Sequence, residues 1–271
     1  MQKQDPIGIF DSGVGGLTVM RHLVRILPQE HMVYFGDTAR VPYGNKSQET
    51  VLHYTRQITR FLQGKRVKAI MIACNTASAY ALAEVEKDLS IPIIGVIQPG
   101  AEAASAATRN GRIGIIGTNA TIGSGAYETC LHAIHPSAKI ITKPCPLFVP
   151  FVEEGLTDSP MTDMVINHYL SEIKAQDIDT LLLGCTHYPM MRPAIERYMG
   201  ESVACIDPAA NAAYLLKQKL QDLNLLNELP DGQVPEYRFY ASDNAPRLLE
   251  FAQHILPQLI QNIIKIDIED Y

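Results

Sequence analysis

The 271-residue chain is long enough for one large domain or two of ordinary size. A hydrophobic share of 46% and a charged share of 19% exclude a disordered chain, and a net charge of −6 with no basic run beyond Lys65-Arg66 excludes a nucleic-acid surface. Residues 1–5 lack the apolar stretch of a signal peptide, and no apolar run is long enough to span a membrane, so no membrane association is predicted.

The first element is GIFDSGVGGLTV, residues 8–19, which predicts a strand, a glycine loop and a helix start. Gly13, Gly15 and Gly16 partly match a dinucleotide-binding fingerprint, whose third glycine position is occupied by Thr18. Asp37 stands near the place of an acidic ribose ligand. This stretch alone leaves open a nucleotide site, a purely structural turn or a loop for a smaller ligand.

Strand and helix patterns alternate along the rest of the chain, which favours a parallel α/β sheet. Strands are predicted at 7–10, 32–35, 69–73, 93–97, 113–116, 139–142, 180–183, 202–206 and 237–240. Helices are predicted at 49–62, 77–88, 162–175, 209–220 and 245–259, and the segment 13–24 is a further helical candidate. Ligands of such sheets bind where strands lead into helices, and polar residues follow five of these strands.

Residues 69–87 and 180–198 resemble each other, since each runs from an apolar strand through a cysteine and a polar pair into a helix. The similarity favours two related halves, although ordinary strand–turn–helix units also look alike. Cys74 and Cys185 take the same place in the two units. A helix N-terminus stabilises a thiolate, so the pKa of both thiols is expected to fall towards neutral.

The other three cysteines, Cys130, Cys145 and Cys205, are predicted to be small buried hydrophobic residues. Five cysteines without a CxxC pair are typical of a reducing compartment, so a cytoplasmic protein is expected.

Two thiols in matched positions allow two kinds of chemistry. Cys185 with His187 could form part of a cysteine hydrolase, but Cys74 would then have no role. Alternatively, one thiolate removes a proton from one face of a carbon while the other thiol returns a proton to the opposite face, which inverts the centre.

Metal and cofactor sites have weaker support in the sequence. Cys130, His132 and His135 lack a second ligand set, so no zinc site is predicted. Lys65, Lys68 and Lys87 show no accompanying phosphate cup, which argues mildly against pyridoxal phosphate. We therefore expect no metal and no cofactor.

Six motifs together resemble the glutamate racemases, a family of cofactor-independent enzymes that make D-glutamate for peptidoglycan. They are FDSGVGGLTV (10–19), YFGDTARVPYGNKS (34–47), ACNTAS (73–78), GTNAT (117–121), FVPFVEEG (148–155) and GCTHYP (184–189). They occur in the family's order, and as a set they are specific.

The resemblance implies a role for each matching residue. Cys74 and Cys185 match the catalytic cysteines, Asp11 and His187 match their assisting groups, and Asp37 and Glu153 match further site carboxylates, with Glu154 as the alternative to Glu153. Positions matching the substrate-binding residues are Asp11, Ser12, Tyr43, Gly44, Asn75, Thr76, Thr118, Thr121, Thr186 and His187. Arg40 remains a candidate cation for a substrate carboxylate.

The resemblance also implies two Rossmann-like or flavodoxin-like α/β domains in a pseudo-symmetric arrangement, with the active site in the cleft between them. The first would comprise residues 1–97 plus 209–271 and the second residues 98–208, with crossovers at 97–100 and 206–211. A homodimer acting on L- and D-glutamate is expected. Because only six residues precede the first predicted strand, activation by a peptidoglycan precursor is not favoured.

Two other functions stay open. One is a racemase or isomerase of the same superfamily that acts on aspartate or another acid, against which the Thr/Asn residues after the cysteines argue weakly. The other is a non-catalytic amino-acid-binding protein with two lobes, which would have no need of paired thiols.

Overall fold

The computed structural model describes residues 1–257, 259–260 and 262–271. Its strands are β1 Ile7–Asp11, β2 Met32–Gly36, β3 Ala69–Ile72, β4 Ile93–Gly95, β5 Arg112–Gly117, β6 Lys139–Pro144, β7 Thr180–Gly184, β8 Ala204–Ile206, β9 Tyr237–Ala241 and β10 Ile264–Lys265. They form two sheets, in the orders β10-β9-β2-β1-β3-β4 and β6-β5-β7-β8, and every pair is parallel. The predicted parallel α/β class is confirmed.

The helices fill the crossovers between these strands. They are α1 Leu17–Ile26, α2 Gln48–Gly64, α3 Asn75–Val85, α4 Ile97–Ala107, α5 Asn119–Gly123, α6 Ala126–Ile134, α7 Phe148–Glu153, α8 Pro160–Lys174, α9 Arg192–Met199, α10 Pro208–Asp222 and α11 Ala245–Ile255. Short 3₁₀ turns occur at Tyr43–Asn45, Glu86–Asp88, Tyr188–Met191 and Ile268–Asp270.

Both sheets are covered by helices on both faces, which suits central strands that are largely apolar. In the six-stranded sheet, β1, β2 and β3 are buried at every position. Helices α1, α10 and α11 pack on one face of this sheet, and α2 and α3 pack on the other. We call this assembly the six-stranded half.

The four-stranded half is built in the same way. Helices α7, α8 and α9 cover one face of its sheet, and α4 and α6 cover the other. Helix α3 packs against α5, and α10 packs against α4, so the halves are in contact. The domain division predicted from the sequence stays a prediction; each sheet lies within one of its two parts.

Several predicted boundaries are wrong. The predicted strand 93–97 ends at Gly95, because residues 97–100 open helix α4, whose Pro99 lies in the first turn, where proline is tolerated. The candidate helix 13–24 begins only at Leu17, after the glycine loop. The predicted helix 245–259 ends at Ile255, and Gln258 lies outside the described residues.

A buried ion pair holds one end of the six-stranded half together. Lys68 is completely buried, and its Nζ lies 2.5 Å from Glu30 Oε2 and donates to the carbonyl of Leu225 at 2.8 Å. Glu30 Oε1 in turn accepts the N–H of Asn227 at 2.8 Å. These bonds tie the chain after α10 to the loops that enter β2 and β3.

We expect Lys68→Met to lower the free energy of unfolding by about 3–5 kcal/mol, since it leaves the Glu30 carboxylate buried without its cation. The matched control is Lys87→Met, which breaks an exposed pair with Glu84 and should change stability by less than about 0.5 kcal/mol. Urea unfolding of both variants measures the difference. Equal midpoints for the two variants would contradict this role of the buried pair.

Candidate active site

Cys74 and Cys185 occupy matching positions, one in each half. Cys74 follows β3 and is the N-cap of α3, where its Sγ accepts the N–H of Ala77 at 3.4 Å. Cys185 follows β7 directly, but the next element is the 3₁₀ turn Tyr188–Met191, and α9 begins only at Arg192. Both thiols are buried. The expected helix N-terminus is therefore present at Cys74 and replaced by a shorter turn at Cys185.

The predicted lowering of the Cys74 pKa is wrong. Burial, and then the neighbouring Asp11 carboxylate, raise the pKa of Cys74 to about 12. The Ala77 N–H and the Ser12 hydroxyl act in the opposite direction, and they are too weak to compensate. Sequence reasoning took account of the helix terminus and missed the desolvation of the thiol.

The glycine loop after β1 holds Asp11 beside Cys74. Asp11 Oδ2 accepts the N–H groups of Gly13 at 3.1 Å and Gly16 at 2.9 Å. Burial raises the pKa of Asp11, and the nearby His187 and these N–H groups oppose that shift. The carboxylate therefore lies between the two halves, within reach of groups from both.

Two glycines of this loop are required by close packing. A Cβ added at Gly15 would come within 2.6 Å of His187 Nδ1 and would also overlap the Thr186 hydroxyl. A Cβ at Gly16 would overlap Asp11 Cβ. The loop thus lets the two halves approach each other, which explains its glycines without a phosphate ligand.

His187 is the polar partner of Cys185. Its Nδ1 lies 3.8 Å from Cys185 Sγ, and its Nε2 lies 3.1 Å from Glu153 Oε1. Burial disfavours the imidazolium, but the hydrogen bonds to Cys185 and Glu153 outweigh it and raise the pKa of His187 to about 10. Although burial opposes it, the same contact lowers the pKa of Glu153. The side chains of Cys185, His187 and Glu153 therefore form a continuous series of hydrogen-bonding contacts.

The neighbouring Glu154 points elsewhere. Its Oε1 accepts from Arg247 Nη2 at 3.0 Å, and its side chain is 67% exposed. Of these two candidate carboxylates, Glu153 is therefore the one that contacts a predicted site residue, His187.

Hydroxyl groups from both halves meet beside the cysteines. The Oγ1 atoms of Thr76, Thr118 and Thr121 lie 3.0 Å from one another. Thr186 Oγ1 lies 3.5 Å from both Asp11 Oδ1 and His187 Nδ1. These hydroxyls form a polar wall that carries no net charge.

Asp37 is bonded to another predicted site residue, Tyr43. Its Oδ2 accepts from the Tyr43 hydroxyl and from Arg40 Nε at 2.8 Å, and its Oδ1 accepts from Ser242 Oγ at 2.8 Å. Arg40 Nη1 also lies 3.1 Å from Glu269 Oε1 in the Ile268–Asp270 turn. Asp37 therefore orients Tyr43, and Arg40 is held by carboxylates instead of facing the cavity.

Most of the predicted residues line one small cavity between the halves, while Asp37 and Glu153 reach it through Tyr43 and His187. The six-stranded half contributes Ser12, Tyr43, Gly44, Cys74, Asn75 and Thr76. The four-stranded half contributes Thr118, Cys185, Thr186 and His187. Asp11 and Thr121 are bonded directly to lining residues. The cavity volume is about 20 Å³, room for roughly one water molecule, so a larger ligand requires the lining residues to rearrange.

Sequence reasoning missed some residues of the site. Val41, Pro42 and Val149 also line the cavity, and all three lie within the quoted motifs, where their apolar side chains gave no functional signal. Ser242 and Tyr127 lie outside every motif and reach the site only through the fold.

Residues considered for other chemistry lie elsewhere. Among the described residues, no group of three or more His, Cys, Asp or Glu side chains could hold a metal ion. Lys68 is paired with Glu30 and Lys87 with Glu84. In the part of the chain that the structure describes, no helix has the length and apolar character needed to cross a membrane.

Comparisons with known proteins agree with this geometry. The family model of the Asp/Glu/hydantoin racemases matches residues 7–216. The glutamate racemase of Geobacter metallireducens is 43% identical over 263 residues, which cover 97% of each chain. The crystal structure of Francisella tularensis glutamate racemase in complex with D-glutamate superimposes with a TM-score of 0.92 at 38% identity and covers 99% of this chain and 100% of that one. For glutamate racemase isoform RacE1 of Bacillus anthracis the TM-score is 0.93 at 39% identity, with 98% of each chain covered.

Proposed function

This chain belongs to the Asp/Glu/hydantoin racemase family, and we propose that it interconverts L- and D-glutamate with Cys74 and Cys185 as the two acid–base groups. The observation that carries the proposal is that both thiols line one cavity, each beside its own polar partner. In this reaction one thiolate takes the α-proton from one face of the substrate carbon. The electron pair moves onto the α-carboxylate, and the other thiol protonates the opposite face.

Each thiol has a different assistant in this proposal. On one side, Asp11 lies close enough to Cys74 to raise the thiol pKa, so Asp11 favours the neutral thiol that donates a proton. On the other side, the His187 imidazolium, held by Glu153, stabilises a thiolate at Cys185. The two partners therefore prepare one acid and one base, and their roles exchange when the substrate has the opposite configuration.

The carbanion-like intermediate needs hydrogen-bond donors, because a glutamate α-proton is far less acidic than a thiol. We propose that the substrate carboxylates and amino group are held by Asp11, Ser12, Tyr43, Gly44, Asn75, Thr76, Thr118, Thr121, Thr186 and His187. Support comes from their position in or directly behind the cavity wall. The hydroxyl and amide donors of this set, preorganised in a site closed to water, stabilise developing charge without an arginine.

The wider role is proposed on the same basis. We infer that the product D-glutamate serves peptidoglycan synthesis in the cytoplasm and that the enzyme acts as a homodimer without a metal or a pyridoxal cofactor. We also propose that the enzyme needs no peptidoglycan precursor as an activator. Activity measured in the absence of any such precursor tests this.

The test uses purified protein freed of metal and pyridoxal phosphate and incubated with L-glutamate in D₂O. We expect the optical rotation to decay to zero while deuterium enters Cα, and D-glutamate to behave in the same way. L-Aspartate is the matched substrate control. Exchange on aspartate alone would indicate the sister activity, and no exchange on either acid would indicate a binding protein.

A further inference from the structure

A buried tyrosine from the four-stranded half bonds to the residue beside Cys74. Tyr127 lies on α6 and is 3% exposed. Its hydroxyl donates to Asn75 Oδ1 at 2.6 Å, and Asn75 is the first residue of α3. Burial raises the pKa of Tyr127 well above its ordinary value, so the hydroxyl keeps its proton and remains a donor.

The Tyr127 ring also contacts the backbone near the other thiol. A Cβ added at Gly184, the residue before Cys185, would lie 3.1 Å from the ring, and one added at Gly100 of α4 would lie equally close. One side chain therefore packs beside the Cys185 strand and bonds to the residue that follows Cys74.

The hydrogen bond determines which end of the Asn75 amide faces the cavity. An amide oxygen is a better acceptor than a phenol oxygen, whose lone pair is shared with the ring, so the hydroxyl selects Oδ1. Asn75 lines the cavity, and among the described residues its Nδ2 group donates to no protein acceptor, so it is the end of the amide left free for a ligand. A substrate carboxylate needs an N–H donor there, whereas the flipped amide would present an oxygen to it.

We propose that Tyr127 is a positioning residue that holds the Asn75 amide with its N–H₂ group towards a substrate carboxylate. This inference rests on the proposed function. It assigns Tyr127 no contact with the substrate; its effect passes through Asn75, and it links substrate binding in one half to the packing of the other.

The test is Tyr127→Phe, which removes the hydroxyl and keeps the ring. We expect kcat/KM for both glutamate enantiomers to fall about tenfold, mainly through a higher KM, as befits the loss of one buried hydrogen bond. The matched control is Tyr198→Phe, which removes an exposed Tyr–Asn bond of 2.9 Å to Asn167 in the same half and should leave kcat/KM unchanged.

A double-mutant cycle separates positioning from a merely structural role. Tyr127→Phe should cost little in the Asn75→Ala background, since the amide it orients is gone. Asn75→Asp, which keeps an acceptor for Tyr127 but replaces the N–H₂ group by an oxygen, should impair binding more than Asn75→Ala. The proposal is overturned if the losses in kcat/KM of Tyr127→Phe and Asn75→Ala add up in the double variant. It is also overturned if Asn75→Asp binds substrate as well as Asn75→Ala, a result that does not depend on how well Tyr127→Phe folds.

Failure of the proposed activity can be distinguished from failure of the Tyr127 proposal. If the wild-type protein and Tyr198→Phe fail to racemise glutamate, the proposed activity is wrong whatever the Tyr127 variant does. If both are active and Tyr127→Phe matches them, only the positioning role is wrong.

Discussion

Serine in place of Cys74 or of Cys185 is expected to lower kcat for glutamate racemisation by about a thousandfold or more. The substitution keeps the size of the side chain, but an aliphatic hydroxyl is a far weaker acid than a thiol and supplies almost no conjugate base near neutral pH. In the proposed mechanism each thiol handles the proton on one face, so the loss of either one should stop inversion. The decay of optical rotation from both enantiomers measures the effect.

The two variants should differ in what they retain. With one thiol left, each is expected to exchange the Cα proton of a single enantiomer with D₂O without inverting it, and the two variants should exchange opposite enantiomers. The control is Cys130→Ser, since Cys130 lies on α6 outside the cavity. A serine variant with full activity, or two variants that exchange the same enantiomer, would refute the two-thiol assignment.

Replacing His187 by glutamine is expected to reduce kcat about a hundredfold at pH 8. The wild-type imidazolium persists at this pH, because the Cys185 and Glu153 contacts overcome the effect of burial and raise the pKa of His187 to about 10. A neutral amide cannot stabilise a thiolate at Cys185 in the same way. The deficit should shrink as the pH approaches 10, where the wild-type protein loses its own cation.

His187 also contributes to the free energy of unfolding, and the size of its contribution depends on pH. The pKa of His187 is raised from the ordinary 6.5 to about 10 in the folded protein. The resulting stabilisation is fully present below pH 6.5 and is lost as the pH rises through 10. Between pH 7 and 10 the wild-type free energy of unfolding should therefore fall more steeply than that of His187→Gln. The exposed His168 supplies the control variant, His168→Gln. Parallel stability curves for wild type and His187→Gln would show that the imidazolium is not held as described.

Much of the fold could be predicted because its central strands are short apolar runs followed by polar residues. The strand predicted at 180–183 and the helix at 162–175 differ from β7 and α8 by one or two residues at most. Helix α4 was missed, because Pro99 and Gly100 in its first turns are typical of a linker. The two-residue strand β10 carries too little pattern to predict from sequence.

The site was predicted less completely than the fold, since its chemistry depends on contacts between distant segments. The motifs identified the residues around the thiols, but they could not indicate that Arg40 is held by Asp37 and Glu269, which comes from the far end of the chain. Nor could local sequence predict the raised Cys74 pKa, because the Asp11 carboxylate responsible for part of it lies 63 positions earlier. Tyr127 looks like any core tyrosine of an amphipathic helix.

The small volume between the halves has a consequence for inhibitor design. A space of about 20 Å³ accepts only a few atoms, so docking to this rigid form would favour tiny fragments and would reject amino-acid mimics of natural size. Because the walls come from both halves, an effective compound needs a rearrangement of the lining residues that widens this space. Its measured affinity will therefore include the free energy of that rearrangement.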